Sequence, residues 1–401
     1  MIKLEKKILE FIEGRLFIFI LAAAFIAGAV LRFTSRNFVS EDAYNYLLGW
    51  YDEIKACGGF AALDHQVGNY NVLYQTIIAL FTYLPIPALF AYKGLSIVFD
   101  LLLACLVGFI VYKEADISND VLGVTAFSLI WLLPVILFNS SLWAQCDSIY
   151  TFFVVLSLYL LYKEKSIPAF VVLGIALSFK LQAVFIIPFF LFVYFANRKF
   201  SFLNFLIPPA VMWVSTIPAI IAGRGVFTGF LLYLNQTDEY GCTVMNYPGF
   251  TLTMSYDYMQ KNYNYVKAMA IIVTISVLAF WMIYSIWKKR KPEGEMFWLM
   301  AVLFTFTTVY FLPAMHDRYG YLYEILAIVY MFKNRKTILP CFLLQIMSMI
   351  TYSNFLFHLG VDVKMLSVLN FVIYAVYCCI FVKSSGNFQV SDKNTDIERT
   401  L

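Results

Sequence analysis

The chain has 401 residues, of which 62% are hydrophobic, 19% aromatic and only 13% charged, with a formal net charge of +4. A water-soluble domain needs more charge to cover its surface, so composition excludes the soluble classes and leaves a polytopic, all-α membrane protein. The apolar runs are continuous rather than alternating, which excludes a membrane β-barrel.

The first fifteen residues, "MIKLEKKILEFIEGR", are basic and amphipathic. No small-residue cleavage site follows the apolar run 16–33, so that run reads as a retained helix rather than a removed signal. A long segment, 34–91, comes next and contains "SEDAYNYLLGWYDEI". Within it the run 71–84 is too short to cross a bilayer, and counting it as a span would put the basic loop "KKRK" outside; it reads as a helix at the outer interface. Further apolar segments follow at 92–112, 120–138, 143–162, 167–180, 181–197, 202–222, 265–287, 296–313, 321–332, 338–354 and 365–383, for about twelve transmembrane helices with run 16–33. The run 167–197 is too long for one span and carries Lys180, where it is split. A second long outer segment, 223–264, is rich in Tyr, Asn and Gly, and the tail 384–401 is polar. The whole divides into a catalytic-type module over 1–330, C-terminal helices over 331–383 and the tail.

Orientation follows from Lys and Arg. The short connections "KKILEFIEGR", "YKEAD", "YKEKS", "NRKF", "KKRK" and "KNRK" alternate to one side. By the positive-inside rule that side is the cytoplasm, and both termini lie there. "KKRK" and "KNRK" are thus topology signals, and no nucleic-acid partner is expected. The expected setting is the plasma (inner) membrane of a cell. The seven cysteines are scattered without zinc-ligand spacing, and no metal or cofactor is expected.

A charge inside an apolar span is a functional hypothesis by default. Here the polar clusters segregate to the outer ends of spans: Asp42 with Glu41, Gln145 with Asp147, Lys180 with Gln182, and His316-Asp317-Arg318. One shared outward-facing site is the economical reading. Lys180, His316 and Arg318 are donors suited to a phosphate. Asp42, with Glu41 as a helper, is a carboxylate suited to accept a hydroxyl proton. Aromatic and amide side chains nearby, namely Tyr44, Trp143, Gln145, Asp147, Gln182, Tyr240, Asn246 and Tyr247, suit a sugar with flat apolar faces and polar edges. Cations opposite a base are what sugar transfer from a lipid phosphate requires.

These motifs together resemble the GT-C superfamily of polyprenyl-phosphate-sugar-dependent glycosyltransferases. "SEDAYNYLLGWYDEI" resembles that family's first outer loop, where an Asp soon after the first span is the catalytic base. "GNYNVLYQ", "SLWAQCDS", "FKLQAVFIIP" and "MHDRYGY" are similar, in order, to the Asp-Tyr-Pro-Pro, His-Phe-Gln-Tyr-Asn, Lys-Gln-Met and His-Glu-Lys motifs of the N-glycan glucosyltransferases. The bacterial set related to the second mannosyltransferase of GPI-anchor synthesis looks closest, with its Trp-x-Gln-x-Asp and Met-His-Glu-Arg-Tyr patterns. Asn69-Tyr70-Asn71 departs from Asp-Tyr-Pro-Pro, and Asp317 stands in place of Glu. The resemblance implies an inverting hexosyltransferase with its site on the extracytoplasmic face. Its partners would be a polyprenyl-phosphate sugar donor, an envelope-glycan or lipid-linked acceptor, and the bilayer.

Each residue also has a plainer reading. Ser40 reads as a helix N-cap with Glu41 and Asp42 as acids of the first turn. Lys180 reads as a lysine reaching to headgroups. His316 and Arg318 read as a structural set with Asp317, and Asp100 as a helix-to-helix contact. At the level of function, a flippase of lipid-linked sugars and a non-catalytic relative of the transferases are the alternatives.

Overall fold

The computed structural model describes residues 3–114, 120–236 and 241–384. It is helical almost throughout; the only strands among the described residues are Val244–Met245 and Met315–His316, paired in parallel. Six helices are long and apolar enough to cross a membrane: Leu16–Thr34, Ala88–Glu114, Tyr263–Trp287, Gly294–Phe311, Arg335–Phe357 and Val363–Lys383. A seventh crossing arises if the pair Asp120–Leu132 and Pro134–Leu142, bent by 42°, is one span. This is an all-α, multi-pass membrane protein.

The other apolar segments form shorter helices, and their breaks have local causes. The predicted run 202–222 is interrupted: a 3-10 turn leads into Ile207–Ser215, and Pro218 starts the separate turn Ile217–Ile221. The run 167–197 breaks at Lys180, whose backbone is extended between Ser166–Phe179 and the turn Leu181–Ile186. The run 143–162 is helical only from Asp147, because residues 143–146 leave the helix to build a turn. The segment 71–84 holds the ten-residue helix Val72–Phe81, capped by the Asn71 side chain on the Val72 amide at 2.7 Å.

The chain forms two compact units. The first comprises the described residues of Met1–Val184, Phe200–Tyr240 and Tyr352–His358, and the second those of Phe185–Lys199, Gly241–Thr351 and Leu359–Leu401.

In the first unit Ala88–Glu114 packs on Asp120–Leu132 and on Asp147–Tyr162, which in turn packs on Ser166–Phe179. Gly108 and Gly123 meet where the first two cross; a Cβ on Gly108 would lie 3.0 Å from the Gly123 carbonyl oxygen. Small residues permit such close approach where lipid supplies no hydrophobic drive. A polar hub ties the unit together. Arg32 donates through Nη2 to Asp100 Oδ2 at 3.0 Å and through Nη1 to the Trp131 carbonyl at 2.9 Å, and its guanidinium lies 3.6 Å from the Trp131 ring centroid. Ser140 donates to the same Asp100 oxygen at 2.5 Å. Asp100 thus joins neighbouring helices, as its plainer reading holds.

In the second unit Gly294–Phe311 is the core helix, buried along nearly its whole length against Tyr321–Lys333, Tyr263–Trp287, Val363–Lys383 and Ile187–Asn197. Its threonine hydroxyls bond within the helix: Thr305, Thr307 and Thr308 each donate to the carbonyl four residues back. Apolar surroundings demand that closure of polar groups.

Candidate functional site

The stretch after the first long helix turns on Ser40. Its hydroxyl accepts the Ala43 amide at 3.2 Å and donates to the Trp143 carbonyl at 3.0 Å, capping the new helix and tying it to a residue a hundred positions away. Ser40 is therefore the cap and Asp42 is not; the Asp42 carboxylate makes no capping bond. It accepts instead from Trp143 Nε1 at 2.7 Å and Gln145 Nε2 at 3.1 Å, both on Oδ2. Asp42 is half-buried, and its Oδ1 has no hydrogen-bond partner among the described residues.

Trp143 and Gln145 reach Asp42 because of the backbone between them. Phe138–Leu142 closes as a wide turn in which the Trp143 amide reaches back five residues to the Phe138 carbonyl at 2.8 Å. Ala144 follows in the left-handed region at φ 62°. That conformation is costly for alanine and clusters at functional sites. Ala43–Leu47, beside Asp42, is a second π-type segment, and such turns also recur at sites. Trp143 is fully buried, stacked on Phe355 at 4.4 Å between centroids and edge-on to Tyr352 at 5.3 Å. Gln145 accepts at Oε1 from the Tyr70 hydroxyl at 3.0 Å.

A buried ion pair lies next in the chain. Lys180 Nζ bonds Asp147 Oδ1 at 2.5 Å, with the lysine side chain 8% exposed and the aspartate fully enclosed. Asn139 donates to Asp147 Oδ2 at 2.8 Å, and its carbonyl accepts the Gln145 amide at 2.8 Å. Through Asn139 the pair is coupled to the turn that serves Asp42. Gln182 is buried, Tyr44 is exposed, and Glu41 is exposed and paired with His358 at 3.3 Å.

In the second unit the strand pair brings together two predicted residues 70 positions apart. Met245 pairs with His316, and Asn246, left-handed at φ 63°, bridges to the same histidine. Arg318 lies 3.8 Å from Asp317. Tyr247 is buried, its hydroxyl 2.9 Å from that of Tyr323, and burial pushes its phenol above the ordinary range. Tyr240 lies outside the described residues. Among the described residues no group of three or more His, Cys, Asp or Glu side chains is placed to hold a metal ion.

Asp42, Trp143, Gln145, Asp147, Lys180 and Gln182 thus fall in the first unit, and His316, Arg318, Asn246 and Tyr247 in the second. Sequence reasoning missed Ser40 as an anchor, Asn139, Phe355 and His358, and left Tyr70 among the motif residues without a role. The polar run "NSS" between the apolar segments 120–138 and 143–162 was the one available signal for Asn139.

No protein-family model matches the chain, and no curated protein matches it in sequence.

Proposed function

We propose that this protein is an inverting, GT-C-like glycosyltransferase that moves a sugar from a polyprenyl-phosphate donor to a hydroxyl of an envelope-glycan or lipid-linked acceptor. In this reading about twelve helices cross the plasma membrane, some of them short, both termini are cytoplasmic, and the helix Val72–Phe81 lies at the outer interface. The site faces away from the cytoplasm.

The observation that carries the reading is the state of Asp42. Two side-chain donors hold Oδ2, leaving Oδ1 open on a half-buried carboxylate. That arrangement suits a general base, oriented yet able to accept a proton. Asp42 Oδ1 takes the acceptor hydroxyl proton, the freed oxygen attacks the anomeric carbon, and the bond to phosphate breaks on the opposite face. The phosphate departs as a monoester anion. Lys180 is the first unit's cation for that charge; a donor-phosphate role for His316 and Arg318 rests on the motif resemblance alone.

The test is a screen of short-chain polyprenyl-phosphate sugars with purified protein, read as transfer to a glycan acceptor. Asp42→Asn, which keeps the size of the side chain and an acceptor oxygen, is expected to lower transfer by about 10²–10⁴-fold. A folded Asp42→Asn protein with full transfer would overturn the proposal, and movement of the lipid without transfer would favour a flippase.

A further inference from the structure

We propose that Tyr70 is a positioning residue for Asp42: its hydroxyl fixes the Gln145 amide in the one orientation that delivers an N–H to the carboxylate. The catalytic meaning of this inference rests on the reading of Asp42 as the base; its geometric content does not.

An ionised carboxylate only accepts, so Asp42 Oδ2 requires the NH₂ end of Gln145. The amide oxygen then faces Tyr70, and the phenol must donate to it. No other assignment of protons satisfies both bonds. Without the phenol, nothing in this pair of contacts distinguishes the two ends of the amide, and a rotated Gln145 would present its oxygen to a carboxylate.

Tyr70 is itself held more firmly than a solvated loop residue would be. Its ring sits between Tyr74, at 4.5 Å between centroids, and the edge of Trp50, at 5.9 Å. Its carbonyl accepts the Gln66 amide at 2.9 Å, and Gln66 in turn accepts from Arg224 Nη2 at 2.6 Å. Gly68, left-handed at φ 67°, lets the loop lie against the Trp50 indole, where any Cβ would collide with the ring. Asn71, the next residue, caps the following helix. The result is a relay from Arg224 through Gln66, Tyr70 and Gln145 to Asp42, in which every member is bonded at both ends. Titratable groups tied to this network include Tyr74, whose ring packs on Tyr70, Glu41 with His358, and Asp147 with Lys180 through Asn139.

The test replaces the seven tryptophans with 5-fluorotryptophan and follows the ¹⁹F shift of Trp143, which donates to Asp42, in the full-length protein. The resonance is assigned by its absence in Trp143→Phe. Gln145→Leu should displace it, and Tyr70→Phe should displace it in the same direction by less. The double variant should move it no further than Gln145→Leu alone, because the two act in series. Tyr51→Phe is the control. Its hydroxyl donates to the Phe81 and Ile86 carbonyls, so it can cost stability but should leave the resonance in place. In the transfer assay Tyr70→Phe should lower kcat about 2–10-fold while KM changes by less than about twofold. The inference is overturned if Tyr70→Phe leaves the resonance unchanged while Gln145→Leu moves it, or if the two displacements add. If wild-type protein transfers no sugar, the glycosyltransferase reading fails, while the ¹⁹F shifts still decide the role of Tyr70.

Discussion

Lys180→Met is expected to unfold the protein far more readily than loss of one hydrogen bond would. The lysine and Asp147 are 2.5 Å apart, 8% and 0% exposed. At an effective dielectric of about 20 their attraction is about 6–7 kcal/mol, much of it offset by removing both charges from water. Deleting only the lysine removes the attraction and leaves the carboxylate enclosed. The net loss should be about 3–5 kcal/mol, or roughly 4–6 °C in apparent Tm for a chain of 401 residues. Lys180→Met/Asp147→Leu removes both charges and should recover most of that stability. Thermal unfolding in detergent, followed by intrinsic fluorescence, measures both variants. If the double variant regains stability but not transfer, Lys180 acts on the donor as well as on Asp147. A single variant that loses less than about 1 kcal/mol, or a double variant no more stable than the single, would refute the reasoning.

Ala144→Gly should be near-neutral, within about 1 kcal/mol, whereas Ala144→Val should cost about 1–3 kcal/mol, since a β-branched residue tolerates the left-handed region poorly; equilibrium unfolding separates them. Phe355→Ala should cost about 1–3 kcal/mol and broaden the Trp143 resonance by removing the ring stacked on it. The hydrogen bond that His65 donates to the Asp64 carboxylate, reinforced by Glu53, raises the His65 pKa above its ordinary 6.5. A raised folded-state value means the contribution is fully present below about pH 6.5 and is lost as pH rises through the higher value. The difference in Tm between wild type and His65→Gln should therefore shrink from mildly acidic to alkaline pH, and salt should reduce it further because the cluster is exposed.

Hydropathy alone located the long helices closely: Leu16–Thr34, Tyr263–Trp287 and Val363–Lys383 begin and end within a few residues of the apolar runs. The interruption at Lys180 was also legible, because a lysine in a run too long for one crossing calls for a break. The turn at residues 143–146 was not. Its composition reads as the start of a helix, and only bonds to Asp42, Ser40 and Tyr70, 75 to 103 positions away, show why the backbone leaves it. The partner of Lys180 was hidden for a related reason. Asp147 was visible as a polar residue near a span's outer end, but no local rule pairs it with a lysine 33 residues on. The apolar run 338–354 stops just short of Phe355, and nothing in the spacing there announces that Phe355 stacks on Trp143.

The Arg32–Asp100 pair also bears on how the protein is made. Arg32 leaves the ribosome 68 residues before its counter-charge. Until the Ala88–Glu114 helix arrives, Leu16–Thr34 carries an uncancelled cation, a penalty of up to about 2.5–3.5 kcal/mol if it sits deep in lipid. The two helices therefore settle most easily as a couple. Ser140, which completes the hub, lies three residues before Trp143. Biogenesis and assembly of the Asp42 surroundings thus share a step, and a substitution at Asp100, which leaves Arg32 uncancelled, should appear first as poor insertion and yield, before any rate is measured.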